Sequence, residues 1–369
     1  MNYIIKDEVN VLYEVNKTFI YLANEDTELE KFNKSLDKMD IDNEKYIRNN
    51  LKTFFNFIEK FKKLNIIPMD KIEFYFSSIS GGVNQSNLSI FEIFLTNFNV
   101  NELLQLKEKI EKSQEEDVKN ICLKEIIKFI MENFDDKSLS LSMNRDDLLK
   151  YLINSKDFSY ESKWKLTVLL EDSKNYLLQY FNIFLDSIDN FESTFTILKK
   201  DKDNFICELK KELDKDKNFL TELSTYKTDD STPLIIYPSM IDFRRISFSE
   251  NINPLTPINE SSICYFGYKF HELMNLSKGK KNEEEILLEK LKCLSDKSKY
   301  EILKMLNTEP MYGQQIAQKL NLTTATISYH MNALSLNKLV TINKRDNKAY
   351  YSINKEEIDK ICSLLKNTF

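Results

Sequence analysis

The chain has 369 residues, 42% of them hydrophobic, and its 52 Lys and Arg against 58 Asp and Glu leave a net charge of −6. That length and apolar content suffice for two or three domains with their own cores. The acidic balance excludes a protein that coats nucleic acid or a membrane surface with its whole exterior.

Charges at Lys6, Asp7 and Glu8 come too early for a signal-peptide apolar region, and no uninterrupted apolar run of 18 residues occurs. The expectation is a soluble, non-secreted, cytoplasmic protein with no membrane partner. The five cysteines are far apart and never form a C-x-x-C pair, so neither a disulfide framework nor a zinc knuckle is indicated. Only five glycines are present, and they spell neither a Walker nor a dinucleotide-binding loop.

From about residue 7 to 225 helical periodicity dominates, as in "NEKYIRNNLKTFFNFIEKFKKL", where Tyr46, Leu51, Phe54, Phe55, Ile58 and Phe61 fall largely on one face. "NIIPMDKIEFYFSS", broken by Pro68, reads as a short strand or an interrupted helix. Loops are expected at "SISGGVNQSN" and from about Ser138 to Asp147. Two or three helices follow between Phe158 and Phe195, with Trp164 and Leu166 in a core.

Residues 228–270 change character, carrying four of the six prolines, two of the five arginines, and β-branched or aromatic runs at Leu234–Tyr237 and Ile263–Tyr268. This segment is read as a small β-containing closure of the first domain. It is also the candidate small-ligand site, through Tyr237, Arg244, Arg245, Tyr265 and Tyr268; a β-flap that only packs the domain shut is the alternative. "LSKGKKNEEE", from Leu276, reads as a hinge.

Helices are then expected near Glu284–Leu294, Ser298–Leu306, Tyr312–Leu320 and Thr323–Leu334, with a last one over Glu356–Leu365. Between them "LVTIN" and "KAYYSIN" alternate about the turn residues Arg345, Asp346 and Asn347, as a hairpin requires. Ile316, Ala317 and Leu320 line the inner side of the third helix. Asn321 stands where a left-handed cap is needed, and Thr323 is a suitable N-cap for the fourth. The order is that of a winged helix-turn-helix. The expected fold is mainly α (α+β): a helical N-terminal domain over 1–280, then this domain over 283–369.

On the fourth helix, Ile327, Met331 and Leu334 cluster on one side with His330 at the margin, and Ala325, Ser328, Tyr329 and Asn332 occupy the opposite arc. No charged residue lies between Thr323 and Leu336, whereas residues 311–354 as a whole carry five Lys or Arg against Asp346 alone. An uncharged hydrogen-bonding face in a basic setting suits base edges and phosphates, the alternative being a plain surface helix.

"LSDKSKYEILKMLN" is similar to "L.dptR..IL..L", "QQIAQKLNLTTATISYHMNAL" to "..eLA..l.ls.stvS.HL..L", and "NKLVTINKRDNKAYYSI" to "..glv...r.g....Y.l". In these three stretches the segment from about Leu294 to Ile353 resembles the DNA-binding domain of the ArsR (arsenic-repressor-like) family of winged-helix transcription factors. Departures are Lys297 for the usual Pro, Lys299 for Arg, Asn321 for Gly, and Tyr329 for a frequent His; Tyr329 bears most on base preference. The resemblance implies a homodimer that places one recognition helix per protomer on a double-stranded, inverted-repeat operator, acting as a repressor. It puts Thr324, Thr326, Ser328, Tyr329 and Asn332 on DNA, Gln314 on phosphate, and Lys344, Arg345 and Lys348 in the wing, with Arg345 suited to a narrow minor groove. A solvated hairpin tip is the plainer account of those three charges.

Metal sensing is the property best known in that family, yet "EPMYGQQIA" has no cysteine and the whole chain has only two histidines, His271 and His330. No metal site and no cofactor is therefore expected, and Cys293 and Cys362 read as free thiols. The 280 residues before the winged helix imply a large-N-terminal-domain variant, serving an effector (small molecule or protein) or dimerisation. No nucleophile stands beside a base at a recognisable spacing, so no catalytic residue is expected and the chain is not read as an enzyme. The other readings are a protein-interaction scaffold, or a ligand-binding or enzymatic first domain with an accessory winged helix.

Overall fold

The structure is a computed structural model that describes residues 3–79, 89, 100–134, 139–215, 233–250, 262–278, 283–320, 322, 324–345 and 348–368. Their contacts separate into two compact units. One holds the described residues of Tyr3–Glu208 and Ile235–Phe270, the other those of Leu209–Leu234 and His271–Phe369.

The first unit is built on phenylalanine spacing. α1 (Val11–Ala23) starts at Asn10, whose side chain accepts the Tyr13 N–H, and buries Leu12, Val15, Phe19 and Leu22 on one stripe. α2 (Glu25–Lys38), α3 (Asn43–Asn50), α4 (Lys52–Leu64) and α5 (Met69–Phe76) follow, and then α6 (Val100–Lys112), α7 (Glu115–Phe134), α8 (Arg145–Asn154) and α9 (Tyr160–Glu171). The long α10 (Ser173–Phe195) packs against α1, α4, α6, α7 and α9 before α11 (Lys199–Lys215). Phe19 stacks on Phe76 at 4.9 Å and meets Phe61 edge-on at 5.7 Å, so aromatic pairs as well as area hold these helices together.

Three sequence expectations need amendment here. The stretch around Pro68 is helix α5, with Pro68 at its N-cap, where a missing N–H costs nothing, and with Ile72, Tyr75 and Phe76 buried at helical spacing. The loop expected to Asp147 ends at Asn144, which caps α8 by accepting the Asp147 N–H at 3.0 Å. Trp164 is 55% exposed while Leu166 is fully buried. The inward stripe of α9 is filled by Leu166, Leu169 and Leu170, so the Trp164 ring is left to pack edge-on against Phe74 at 5.2 Å. Most of "SISGGVNQSN" lies outside the described residues.

The β-segment adds β2 (Leu234–Ser239), β3 (Ile246–Glu250) and β4 (Ser262–Gly267), which with β1 (Tyr3–Ile5) form a sheet ordered β1-β2-β4-β3. β2 and β4 are parallel, with Tyr237 opposite Tyr265, and β3 is antiparallel to β4.

In the second unit α12 (Phe270–Lys278) is followed by α13 (Glu283–Ser295), α14 (Lys297–Leu306), β5 (Met311–Tyr312), α15 (Gly313–Leu320), α16 (Thr324–Leu336), β6 (Val340–Arg345), β7 (Lys348–Ile353) and α17 (Lys355–Thr368). This is a winged helix-turn-helix, with a three-stranded sheet ordered β5-β7-β6. Its core gathers Leu287, Ile302, Leu306, Ile316, Ile327, Leu334 and Ile361 from five helices, with Val340 from the wing. Asn321 and Thr323, expected as caps, lie outside the described residues.

Candidate nucleic-acid interface

The two faces of α16 have opposite fates. Ile327, Met331 and Leu334 are buried to 1% or less exposure against Ile316 and Ala317 of α15, and the chain turns tightly between these helices as Leu322 N–H donates to the Ala317 carbonyl at 3.0 Å. Across the helix Asn332 is exposed and Tyr329 is 67% exposed, while Thr326 is half-buried. Burial anchors one face and leaves the uncharged Tyr329 and Asn332 opposite it to solvent.

Tyr329 is positioned by its neighbours. His330 meets its ring edge-on at 5.5 Å, and the Lys299 ammonium stands 5.9 Å from the ring centroid. Lys299 is held in turn by Asp296, which caps α14 by accepting the Lys299 N–H at 3.0 Å and pairs with the ammonium at 3.3 Å. Those backbone and side-chain contacts hold the Asp296 carboxyl below its usual range. Sequence reading missed Lys299 as a support for Tyr329, although the D-x-x-K cap that places it is local.

His330 is 8% exposed, and burial keeps its imidazole below the ordinary value against the pull of Asp296. That placement fits a packing residue. Cys293 is buried 3.8 Å from the Ala333 carbonyl, with its thiol pushed up by burial, and Cys362 is exposed on α17. Among the described residues no group of three His, Cys, Asp or Glu side chains could hold a metal ion.

Leaving α16, Lys338 takes a left-handed backbone (φ 58°), and Leu339 N–H donates to the Leu334 carbonyl at 2.9 Å, which aims the chain into the wing. β6 and β7 pair from Val340 opposite Ile353 out to Arg345 opposite Lys348, so Lys344, Arg345 and Lys348 all stand at the outer end of the hairpin. Asp346 and Asn347 at its tip lie outside the described residues, as do the side chains of Thr324, Ser328, Lys344, Arg345 and Lys348. Gln314 is exposed on the first turn of α15.

The five residues expected to bind a small ligand do not share one surface. Tyr265 is buried, stacks on Tyr13 at 3.5 Å and accepts a hydrogen bond from the Asn10 amide, and Tyr237 stacks on Tyr265 at 5.8 Å. Tyr268 packs edge-on against Phe243 at 6.2 Å. Arg244 and Arg245 line a cleft together with Tyr21, Glu28, Phe32 and Phe54. Those partners, about two hundred positions earlier in the chain, were not singled out from sequence.

The family model described as "Bacterial regulatory protein, arsR family" matches residues 296–340. Over 71 residues the chain is 38% identical to the arsenical resistance operon repressor of Staphylococcus xylosus, which spans 19% of this chain and 68% of that protein. The arsenical resistance operon repressor of Staphylococcus aureus is 37% identical over the same shares. Among solved structures, the ArsR-like transcriptional regulator from Rhodococcus sp. RHA1 is similar at 26% identity and a TM-score of 0.22, covering 22% of this chain and 78% of that one. NolR from Sinorhizobium fredii is similar at 26% identity and a TM-score of 0.21, covering 24% and 87%. Through its C-terminal winged helix, the chain belongs to the ArsR family of bacterial DNA-binding transcription regulators.

Proposed function

We propose that the protein is a repressor that binds an inverted-repeat operator as a homodimer, one α16 helix per protomer in successive major grooves. The observation that carries this reading is the uncharged outer face of α16, with Tyr329 and Asn332 exposed opposite a fully buried apolar stripe. Hydrogen-bonding side chains on a rigidly anchored helix suit base edges, which carry sequence information that phosphates lack. In this reading Thr324, Thr326 and Ser328 also contact DNA, Gln314 contacts phosphate from the start of α15, and Lys344, Arg345 and Lys348 bring positive charge from the wing to the backbone. Residues 283–369 carry DNA binding, and residues 1–280 carry dimerisation and the response to an effector. No Cys or His metal cage takes part in that response, and neither domain is catalytic.

Selection of random double-stranded fragments by the purified full-length chain tests the reading. The expected outcome is an inverted repeat whose half-site centres lie about 34–36 Å apart, or a multiple of that. Recovery of fragments with no common sequence would remove the operator from the proposal.

A further inference from the structure

The turn between β2 and β3, from Met240 to Arg245, is fixed at several points. Glu14 accepts the N–H groups of Met240 and Ile241, each at 2.9 Å. Gly267 N–H donates to the Arg245 carbonyl at 2.8 Å, and Lys269 N–H to the Phe243 carbonyl at 2.9 Å. A Cβ at Gly267 would stand 2.5 Å from the Asp242 carbonyl oxygen, so only glycine lets the turn lie this close to β4. The wall that presents Arg244 and Arg245 is thus built before any ligand arrives.

Between this wall and helices α1, α2 and α4 is a half-open cleft enclosing about 50 Å³. A single water needs roughly 10–15 Å³, so the closed end takes a small apolar group and the mouth takes the rest of a ligand. The deep lining is aromatic: Phe32 and Phe54 are buried, and Phe54 meets Phe243 at 5.0 Å. Arg244 is committed to the protein, since it pairs with Glu28 and lies over the Phe32 ring at 5.3 Å.

Arg245 is different. Its side chain is 46% exposed and meets Glu28 and Asp242 only at 3.7 and 3.9 Å, longer than hydrogen bonds. The Tyr21 hydroxyl, on the α1 side, is shielded from solvent and has no hydrogen-bond partner among the described residues. A buried donor left this way carries its desolvation cost uncompensated, and an acceptor on a ligand would recover it. The charged side chains of the lining are Lys17, Arg244 and Arg245 against Glu28 and Asp242, an excess of one positive charge.

We propose that this cleft binds a small monocarboxylate with an apolar or aromatic body. The body enters among Phe32, Phe54 and Phe243, the carboxylate pairs with Arg245 at the mouth, and the Tyr21 hydroxyl donates to the ligand. An excess positive charge disfavours amines. This inference stands on the first unit alone and survives or fails independently of the operator reading.

The test uses the full-length chain with three probes, phenylacetate, indole-3-acetate and hexanoate, followed by thermal unfolding and saturation-transfer NMR. At least one acid is expected to bind at millimolar concentration, with its uncharged amide weaker by about tenfold or more, the loss of one charge-assisted contact. Arg245→Gln should weaken the acid by a similar factor. Tyr21→Phe, which removes one oxygen, should weaken it several-fold while leaving the ligand-free protein as stable as before or more so. Absence of binding by all three acids overturns the proposal. So does equal binding of acid and amide, or undiminished binding in both variants. If Arg245→Gln fails to fold, the amide comparison and Tyr21→Phe decide the matter.

Discussion

Glu14 on α1 and Ser239 at the end of β2, 225 positions apart, are joined by a hydrogen bond of 2.6 Å from the serine hydroxyl to the buried carboxyl. The same carboxyl takes the Met240 and Ile241 N–H groups, so a single acid ties the first helix to the sheet and its turn. Burial pushes Glu14 up to about 7 from an ordinary 4.5, against the downward pull of those three donors. The folded state therefore binds this proton more tightly than the unfolded chain does. Its stability should fall as pH rises from about 4.5 through about 7 and level off above, by roughly 3 kcal/mol. Glu14→Gln, which can still accept the two N–H groups, should flatten that slope. Urea midpoints at about pH 5 and about pH 8 read it, and a wild-type midpoint that does not move would contradict the assignment.

Gly267→Ala should destabilise the first unit by about 1–3 kcal/mol. The atoms a Cβ would meet, the Asp242 carbonyl oxygen at 2.5 Å and the Phe243 carbonyl carbon at 2.6 Å, are backbone and cannot rotate away. Chemical denaturation of the variant checks this, and a loss under about 0.5 kcal/mol would show that the turn shifts freely.

The two faces of α16 should separate stability from recognition. Leu334→Ala, at a site with 0% exposure, should cost about 2–5 kcal/mol of folding stability. Tyr329→Ala, at a site 67% exposed, should change stability by less than about 0.5 kcal/mol, yet reduce discrimination between operator and mismatched DNA by about 1–3 kcal/mol. Ser328→Ala should likewise lose discrimination. Arg345→Ala should weaken all sequences alike and reduce the salt slope by about 1. Binding titrations across salt concentrations distinguish these outcomes.

Lys338 holds a left-handed backbone, φ 58°, between α16 and β6. Its carbonyl accepts the Asn354 amide at 2.9 Å, a contact that any residue preserves. Lys338→Gly should be more stable than Lys338→Ala by up to about 1 kcal/mol, because the strain it relieves exceeds the chain entropy glycine adds. A lower melting temperature for the glycine variant than for the alanine one would count against this.

Replacement of all five cysteines by alanine should leave the effect of zinc or arsenite on operator binding unchanged. Cys293 carries a thiol pushed up by burial, and the thiol form is a poor ligand. A metal response that disappears with the cysteines would restore thiol-based sensing to this protein.

The recognition helix was legible because its information is local. Ile327, Met331 and Leu334 recur at helical spacing, and the residues opposite them lack charge in a charge-rich chain. The hairpin alternation and the order of the last helices were legible for the same reason. Trp164 misled because a large apolar side chain suggests burial, whereas three leucines already fill the inward stripe of α9. Arg244 and Arg245 were singled out as a charged pair in a β-segment, but with Tyr237 and Tyr265, which stack on Tyr13 and on each other instead.

By itself the sequence determined a helical protein with a C-terminal winged helix, and which stripe of α16 is buried, since periodicity and capping act within a few residues. Only the tertiary structure decided that Glu14 fastens the β2–β3 turn, that Gly267 seats it, and that Tyr21, Phe32 and Phe54 complete a cleft with Arg245. The Glu14 contacts and the cleft join positions about two hundred residues apart, and no local spacing encodes which distant side chains the packing of helices on a sheet brings together.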